Sequence, residues 1–413
     1  MIRRDRCDQW FVVLDIGTTK ICCVIARESE GRLEVAGLGH HPTAGLSGSG
    51  VVDMDETIHS IENAVRKAFA CVPEIRINYA TVGIGGGFIH CFNTVGSIAL
   101  PGHGRGVTRD DVNRAIRVAV RKSVPKDMTV LHNIPRRFRL DNNSDITDPV
   151  GMEGSLLEVD VHIVAAHETM IRNIRRCITK AGLRVERFVL QPIAAASSVL
   201  TEEERDAGVV LIDIGGSTTS IVVFFEGCIQ HTEILAVGGE HITRDINHYF
   251  QTPIENAEQL KIYSGSASTE LVDDEELIRV IRFKNRRTMV AKRKRLCWVI
   301  EARVDQILKE VMRTLQARDL LRHLYGGVVL TGGTSLLDGL VDRAEKVIHR
   351  EAHIGYPNGV VGPADLNSPL YASGIGLLHF CYHERLMDRQ PRLGHLVMRN
   401  LARGLSEKLR ALR

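Results

Sequence analysis

Residues 11–26 read FVVLDIGTTKICCVIA, and residues 209–225 read VVLIDIGGSTTSIVVFF. Each is an apolar run ending in Asp-Ile-Gly, then a turn of Thr, Ser and Gly, then a second apolar run rich in β-branched residues. That order predicts strand, tight turn, strand. One Asp-Gly turn does no more than close a hairpin. The same design repeated about half a chain later is an internal duplication and implies two related lobes. A further strand follows each hairpin, over 33–39 and 228–237, and then an amphipathic helix, over 56–69 and Gly239–Phe250. Strands alternating with helices predict a duplicated α/β fold.

Composition narrows the class. The 413 residues suffice for two cores, and 44% hydrophobic with 25% charged residues sets disordered chains and disulfide scaffolds aside. A net charge of +3 does not indicate a nucleic-acid-binding body. Nine cysteines, an odd number without framework spacing, predict a reducing compartment and hence the cytoplasm. The polar start, Met1 to Trp10, lacks the apolar segment of a signal peptide. No apolar run reaches the roughly 20 residues that span a bilayer. Any membrane contact is therefore expected to be peripheral.

The turns carry the chemistry. A triphosphate such as that of ATP needs backbone N–H donors at close range. Glycine permits that approach, and hydroxyl side chains add further donors. Gly17, Thr18 and Thr19 in one hairpin, and Gly215, Gly216, Ser217 and Thr218 in the other, supply this set. Asp15 and Asp213 stand beside the turns as oxygen acceptors for Mg2+, reached through its waters because magnesium dehydrates reluctantly. A third glycine turn, Thr331-Gly332-Gly333-Thr334, follows a short apolar strand over 326–330. Three such turns predict one ligand cleft between the lobes.

These motifs resemble the two phosphate loops and the adenosine loop of the actin, sugar-kinase and heat-shock-chaperone superfamily. Within it, LDIGTTKI at 14–21, VLTEEER at 199–205, VVLTGG at 328–333 and GIGLLH at 374–379 resemble the FtsA family of bacterial division proteins, over about residues 11–380. The resemblance implies an actin-like, ribonuclease H-like two-lobe ATPase fold with inserted subdomains. It also implies ATP and Mg2+ as cofactors. By it, Asp15, Gly17, Thr18, Thr19 and Lys20 form the first phosphate loop, and Asp213, Gly215, Gly216, Ser217 and Thr218 the second. Gly332 and Gly333 face the adenosine. Glu258 and Lys261 match the helix pair near ribose and adenine, or else are simply an exposed helix face. Gln191 matches the residue that orients the attacking water, or else is a helix-start side chain. Glutamine is no strong base, so at most a weak ATPase is implied. The implied role is a nucleotide-governed scaffold that polymerises with copies of itself and tethers the FtsZ ring at the division site. Its partners are the FtsZ C-terminal tail, anionic inner-membrane lipids and other division proteins. Arg303 matches a position at the FtsZ interface.

From 393 to 413, Leu393, Leu396, Val397, Leu401, Leu405, Leu409 and Leu412 recur at helical spacing, while Arg399, Arg403 and Arg410 fall on the opposite side. Such a helix either lies flat on an anionic bilayer or packs on a protein surface. The FtsA resemblance implies the membrane, on its cytoplasmic face.

The expected domain boundaries are 1–78 and 168–204 for the first lobe and 79–167 for an inserted subdomain. For the second lobe they are 205–252 and 300–381 with an insert at 253–299, followed by a linker at 382–392 and the targeting helix at 393–413. The basic run over 282–295 is read as a solvated face suited to an acidic peptide, with no nucleic-acid role. His379, Cys381 and His383 point different ways on a predicted helix and are read as structural. A PilM-like pilus-assembly scaffold and a small-molecule kinase of the same superfamily are the competing readings.

Overall fold

The computed structural model describes residues 10–101, 104–283 and 288–388. Strands β1 (Trp10–Ile16), β2 (Lys20–Ser29) and β3 (Arg32–Pro42) form an antiparallel meander. Pairing of Ile16 with Ile21 leaves residues 17–20 as the turn, closed by Gly17 N–H to the Lys20 carbonyl at 3.0 Å. Helix α1 (Met54–Ala70) starts where the Asp53 carboxylate accepts from the Asp55 and Glu56 amides, and it packs on β2 and β3. Strand β4 (Tyr79–Ile84) then pairs parallel to β1.

The insert follows, with β5 (Ile89–Ala99), α2 (Arg109–Ser123), β6 (Met128–Leu140), β7 (Asn143–Ile146) and β8 (Leu156–His167). Its strands make a separate antiparallel sheet, ordered β5-β8-β6-β7. Val112, Ala115, Ile116 and Ala119 of α2 bury against Leu157, Val159, Val161 and Ile163 of β8. The expected boundary at residue 79 therefore shifts. Residues 79–84 belong to the first lobe's sheet, and the insert's own sheet begins at Ile89. The chain returns to the first lobe through α3 (Glu168–Lys180), β9 (Arg184–Leu190), which lies parallel to β4, and α4 (Gln191–Val199).

After the short helix α5 (Glu202–Ala207), the second meander is β10 (Val209–Ile214), β11 (Thr219–Phe225) and β12 (Cys228–Leu235). Helices α6 (Gly239–Phe250) and α7 (Ile254–Ser264), the ribbon β13 (Leu277–Ile281) and β14 (Thr288–Lys292), and the long helix α8 (Arg293–Ala317) follow. The lobe closes with β15 (Val328–Thr331), α9 (Leu340–Ile348) and β16 (Ala352–Ile354). Strand β17 (Val360–Val361) and helix α10 (Ala372–Asp388) then cross back to the first lobe.

The two main sheets have one plan. The first is ordered β9-β4-β1-β2-β3-β17 and the second β12-β11-β10-β15-β16. In each, a meander flanks the phosphate-side strand on one edge, and parallel strands flank it on the other. Helix α4 lies between the sheets, with Ala195, Ala196 and Val199 in the same apolar cluster as Val209, Leu211, Val222 and Phe224. Helix α10 completes the other face of the first sheet. There Ile375, Leu377, Leu378 and Phe380 pack with Phe11, Val13, Val24 and Val189.

The insert also touches the second lobe. Asn93 donates to the Gln230 carbonyl at 2.9 Å, and His162 Nε2 lies 3.1 Å from Thr232 Oγ1. Burial pulls the His162 imidazole down to about 3, so this contact is made by a neutral ring.

One further boundary differs from expectation. The segment read as a linker from 382 is helical through Asp388. Arg187 pairs with Glu384, and Arg385 Nη1 donates to the Trp10 carbonyl at 3.1 Å. Leu393, Leu396, Val397, Arg399, Leu401, Arg403, Leu405, Leu409, Arg410 and Leu412 lie outside the described residues.

Candidate functional site

The C-terminal ends of β1, β10 and β15 converge on a cavity of about 610 Å³ between the lobes. Its walls include Asp15, Gly17, Thr18, Thr19 and Lys20 from the first hairpin, and Asp213, Gly215, Gly216 and Thr218 from the second. Gln191, Glu258, Lys261, Gly332 and Gly333 complete the sequence-expected set. Ser217 points instead into the seam between the loops. Its amide and hydroxyl donate to Thr18 Oγ1 at 3.3 and 2.9 Å. The two turns therefore meet directly, so closely that a Cβ on Gly216 would lie 2.2 Å from Thr19 Cγ2.

The aspartates stand in different surroundings. Asp15 accepts from Gln191 Nε2 at 2.6 Å, and that amide also donates to the Ile16 carbonyl at 3.1 Å. Burial pushes the Asp15 carboxyl above the usual range, opposed by the Gln191 hydrogen bond and the Lys20 charge. Lys20 Nζ donates to the Leu370 carbonyl at 2.9 Å and sits 3.9 Å from the centre of the Tyr371 ring. Its own burial lowers its pKa. Asp213 is pushed up to about 7, first by burial and then by the Asp15 charge. Two carboxylates that repel each other, Asp15 buried and Asp213 partly so, suit a site filled by a hydrated divalent cation. Mg2+ fits this donor set, and Asp15 and Asp213 are the residues that would hold it through its waters.

The third turn is shaped around Asp213. Gly332 has φ +84, and a Cβ there would lie 2.4 Å from Asp213 Oδ1 and 2.7 Å from the Ile214 carbonyl oxygen. Only glycine takes this left-handed path so close to a carboxylate. On the neighbouring wall, Lys261 Nζ bonds Glu258 Oε2 at 2.7 Å and Thr243 Oγ1 at 2.8 Å. The pair therefore faces the cleft and is braced from α6. Tyr263, Leu336 and Leu370 add exposed apolar surface at the mouth.

One element went unread in the sequence. The amides of Gly239 and Glu240, at the start of α6, donate to the Gly215 and Gly216 carbonyls at 2.9 and 2.8 Å. The helix's first donors thus fix the path of the second Asp-Ile-Gly turn. The pair Gly238-Gly239 before an amphipathic helix was the available signal. Arg303 lies outside the cleft, in a two-point pair with Asp245 of α6 at 2.6 and 2.9 Å.

Comparison with known proteins fits this geometry. The family model described as cell division protein FtsA matches residues 210–376, and that of the SHS2 domain inserted in FtsA matches residues 86–165. A type IV pilus assembly PilM model also matches residues 143–270. The chain is 36% identical to the cell division protein FtsA of Pseudomonas aeruginosa, over 89% of this chain and 88% of the relative. It is 33% identical to FtsA of Bacillus subtilis, over 93% and 86%. It is 32% identical to FtsA of Escherichia coli, over 89% of each.

The chain belongs to the FtsA family.

Solved structures agree on the fold. The PilM-PilN type IV pilus biogenesis complex aligns with a TM-score of 0.66 at 17% identity, covering 90% of this chain and 98% of that one. MreB5 of Spiroplasma citri bound to ADP aligns at 0.56 and 14%, covering 92% and 99%. At these identities the likeness to PilM and MreB5 shows the actin-like fold alone, whereas the FtsA relatives extend over most of the chain. The SHS2 match starts at residue 86, after β4, in agreement with the strand pairing.

Proposed function

We propose that the chain is an ATP-dependent scaffold that assembles with copies of itself at the cytoplasmic face of the membrane and tethers the FtsZ ring there. The observation that carries this reading is the meeting of the two Asp-Ile-Gly turns across one cleft, each with its aspartate in the cleft wall. In that cleft the loop amides and hydroxyls bind phosphate oxygens. Asp15 and Asp213 hold the waters of Mg2+, and Gly332 and Gly333 lie along the adenosine. Glu258 and Lys261 bind near the ribose. Gln191 orients a water without being able to deprotonate it, so hydrolysis is slow. Because both lobes contribute ligands, nucleotide binding fixes their relative angle, which is how a nucleotide governs assembly.

The FtsZ tail is proposed to dock on the second lobe beside Arg303. Exposed Tyr249 and Trp298 support that reading, since their rings lie 6.2 Å apart on the α6 and α8 surface near the Arg303–Asp245 pair. The basic run next to it is partly neutralised. Lys292, Arg293 and Lys294 pair with Glu275, Glu276 and Asp274. The tail over 393–413 supplies the membrane anchor. Among the described residues no helix is long and apolar enough to cross a membrane.

Incubating the protein with ATP, magnesium and anionic vesicles tests all three parts. Filaments on vesicles, and capture of an FtsZ tail peptide that Arg303→Glu abolishes, are expected. Absence of nucleotide binding by the unaltered chain overturns the reading.

A further inference from the structure

The end of α10 fixes where the anchoring tail leaves the body. The helix runs antiparallel to β1. Ser373, near its start, lines the cleft, and Arg385, near its end, reaches the Trp10 carbonyl at the opposite end of β1. Beside it, Glu384 pairs with Arg187 of β9. The tail therefore departs from the lower edge of the first lobe, where β9 begins.

That edge is basic. Arg172, Arg175, Arg176 and Lys180 lie on the exposed side of α3, while Ile171, Ile174, Cys177 and Ile178 are buried on the other. Arg184 follows at the start of β9 and is also exposed. Glu168 takes Arg172, and Glu384 is paired with Arg187. Among the described residues, Arg176, Lys180 and Arg184 form no ion pair.

Chain length then decides what this edge faces. From Asp388 to Leu393 there are five residue steps, about 18 Å even at full extension. A helix bound at the headgroups on so short a tether draws the lower edge to within about two Debye lengths of the anionic surface.

Resting on the reading of 393–413 as a membrane helix, we propose that Arg176, Lys180 and Arg184 form a second contact with anionic lipid headgroups, which sets the body's orientation on the bilayer. The tail supplies apolar insertion, and the edge supplies attraction to phosphate and a fixed tilt. Fixed tilt matters for a scaffold, since every subunit then presents the cleft and the second lobe at one height.

The test uses the full chain with Arg176→Gln, Lys180→Gln and Arg184→Gln combined, measured by co-sedimentation with phosphatidylglycerol/phosphatidylcholine vesicles. A surface charge near an anionic bilayer is worth up to about fivefold in affinity, so at least tenfold weakening and a shallower salt dependence are expected. Binding of ATP should be unchanged, which reports an intact fold. Neutralising Lys309, Arg313 and Arg318 in the second lobe should shift vesicle binding less than about twofold. Unchanged vesicle affinity of the triple variant, with binding abolished by deleting 393–413, overturns the proposal and leaves the tail reading standing. Binding that survives the deletion overturns the tail reading and leaves the basic edge judged by its own variant. No binding by the unaltered chain overturns both.

Discussion

The two Asp-Ile-Gly hairpins share strand order, register and turn, yet their carboxylates live differently. Asp15 is bracketed by an amide from Gln191 and an ammonium from Lys20. Asp213 has Gly332 packed against it, and its strongest charged neighbour is Asp15 itself. Duplication copied the scaffold, and the chemistry then diverged. The first loop is a preformed polar cradle, whereas the second holds a carboxylate whose charge waits for a cation.

The sharpest way to break this contrast is at the second loop's support. Gly332→Ala forces a Cβ into Asp213 at a left-handed backbone position. It should cost about 2–4 kcal/mol in chemical denaturation and abolish ATP binding. Retention of both would mean that the third turn does not hold Asp213.

Next comes pH. Asp213 has its folded carboxyl raised to about 7 from 3.8. The unfolded chain therefore binds fewer protons across this window, and the nucleotide-free fold loses stability as pH rises from about 4 to about 7. Binding of Mg2+ and ATP needs the ionised form, so affinity should fall as pH drops below about 7, approaching tenfold per unit. Calorimetry in buffers of different ionisation heat would count the released proton. Asp213→Asn should flatten this profile and, without ligand, stabilise the protein at pH 8 more than at pH 5.

Smaller effects belong to the first loop. Lys20→Met removes the Leu370 bond and the charge beside Asp15, and should weaken ATP by about 1–2 kcal/mol with the pH midpoint of Asp213 little changed. Ser217→Ala removes one contact across the seam. A loss of about 0.5–1 kcal/mol in stability is expected, seen as a small fall in melting temperature.

How much of this was legible in the sequence follows from which forces are local. The hairpins were readable because turn and alternation lie within some 16 residues, and the repeat excluded chance. The glycines and hydroxyls of the turns were readable for the same reason, whereas Gln191, Glu258 and Lys261 came from the family resemblance. Strand β4 was misassigned to the insert because parallel pairing with β1 joins segments far apart in the chain, and its apolar run fits either sheet. The end of α10 reads as linker because charged residues crowd it, with Glu384, Arg385 and Asp388 leading into Arg389 and Pro391. Its order comes from Arg187 and the Trp10 carbonyl, both remote in sequence. The bond from Gln191 to Asp15 spans 176 positions and has no local signature. The hold of α6 on Gly215 and Gly216 had one, the paired glycines, but only the fold shows what they approach.

The return of α10 has a consequence for synthesis. Phe11, Val13 and Val24 find their covering partners in Ile375, Leu377 and Leu378, which are translated far later. The insert and the second lobe can close as they emerge, since their clusters are contiguous in the chain. The first lobe must wait with one face of its sheet bare until α10 has been made. A ribosome stalled before Ala372 would therefore display that apolar face to chaperones, and release of α10 would be the step that finishes the first lobe.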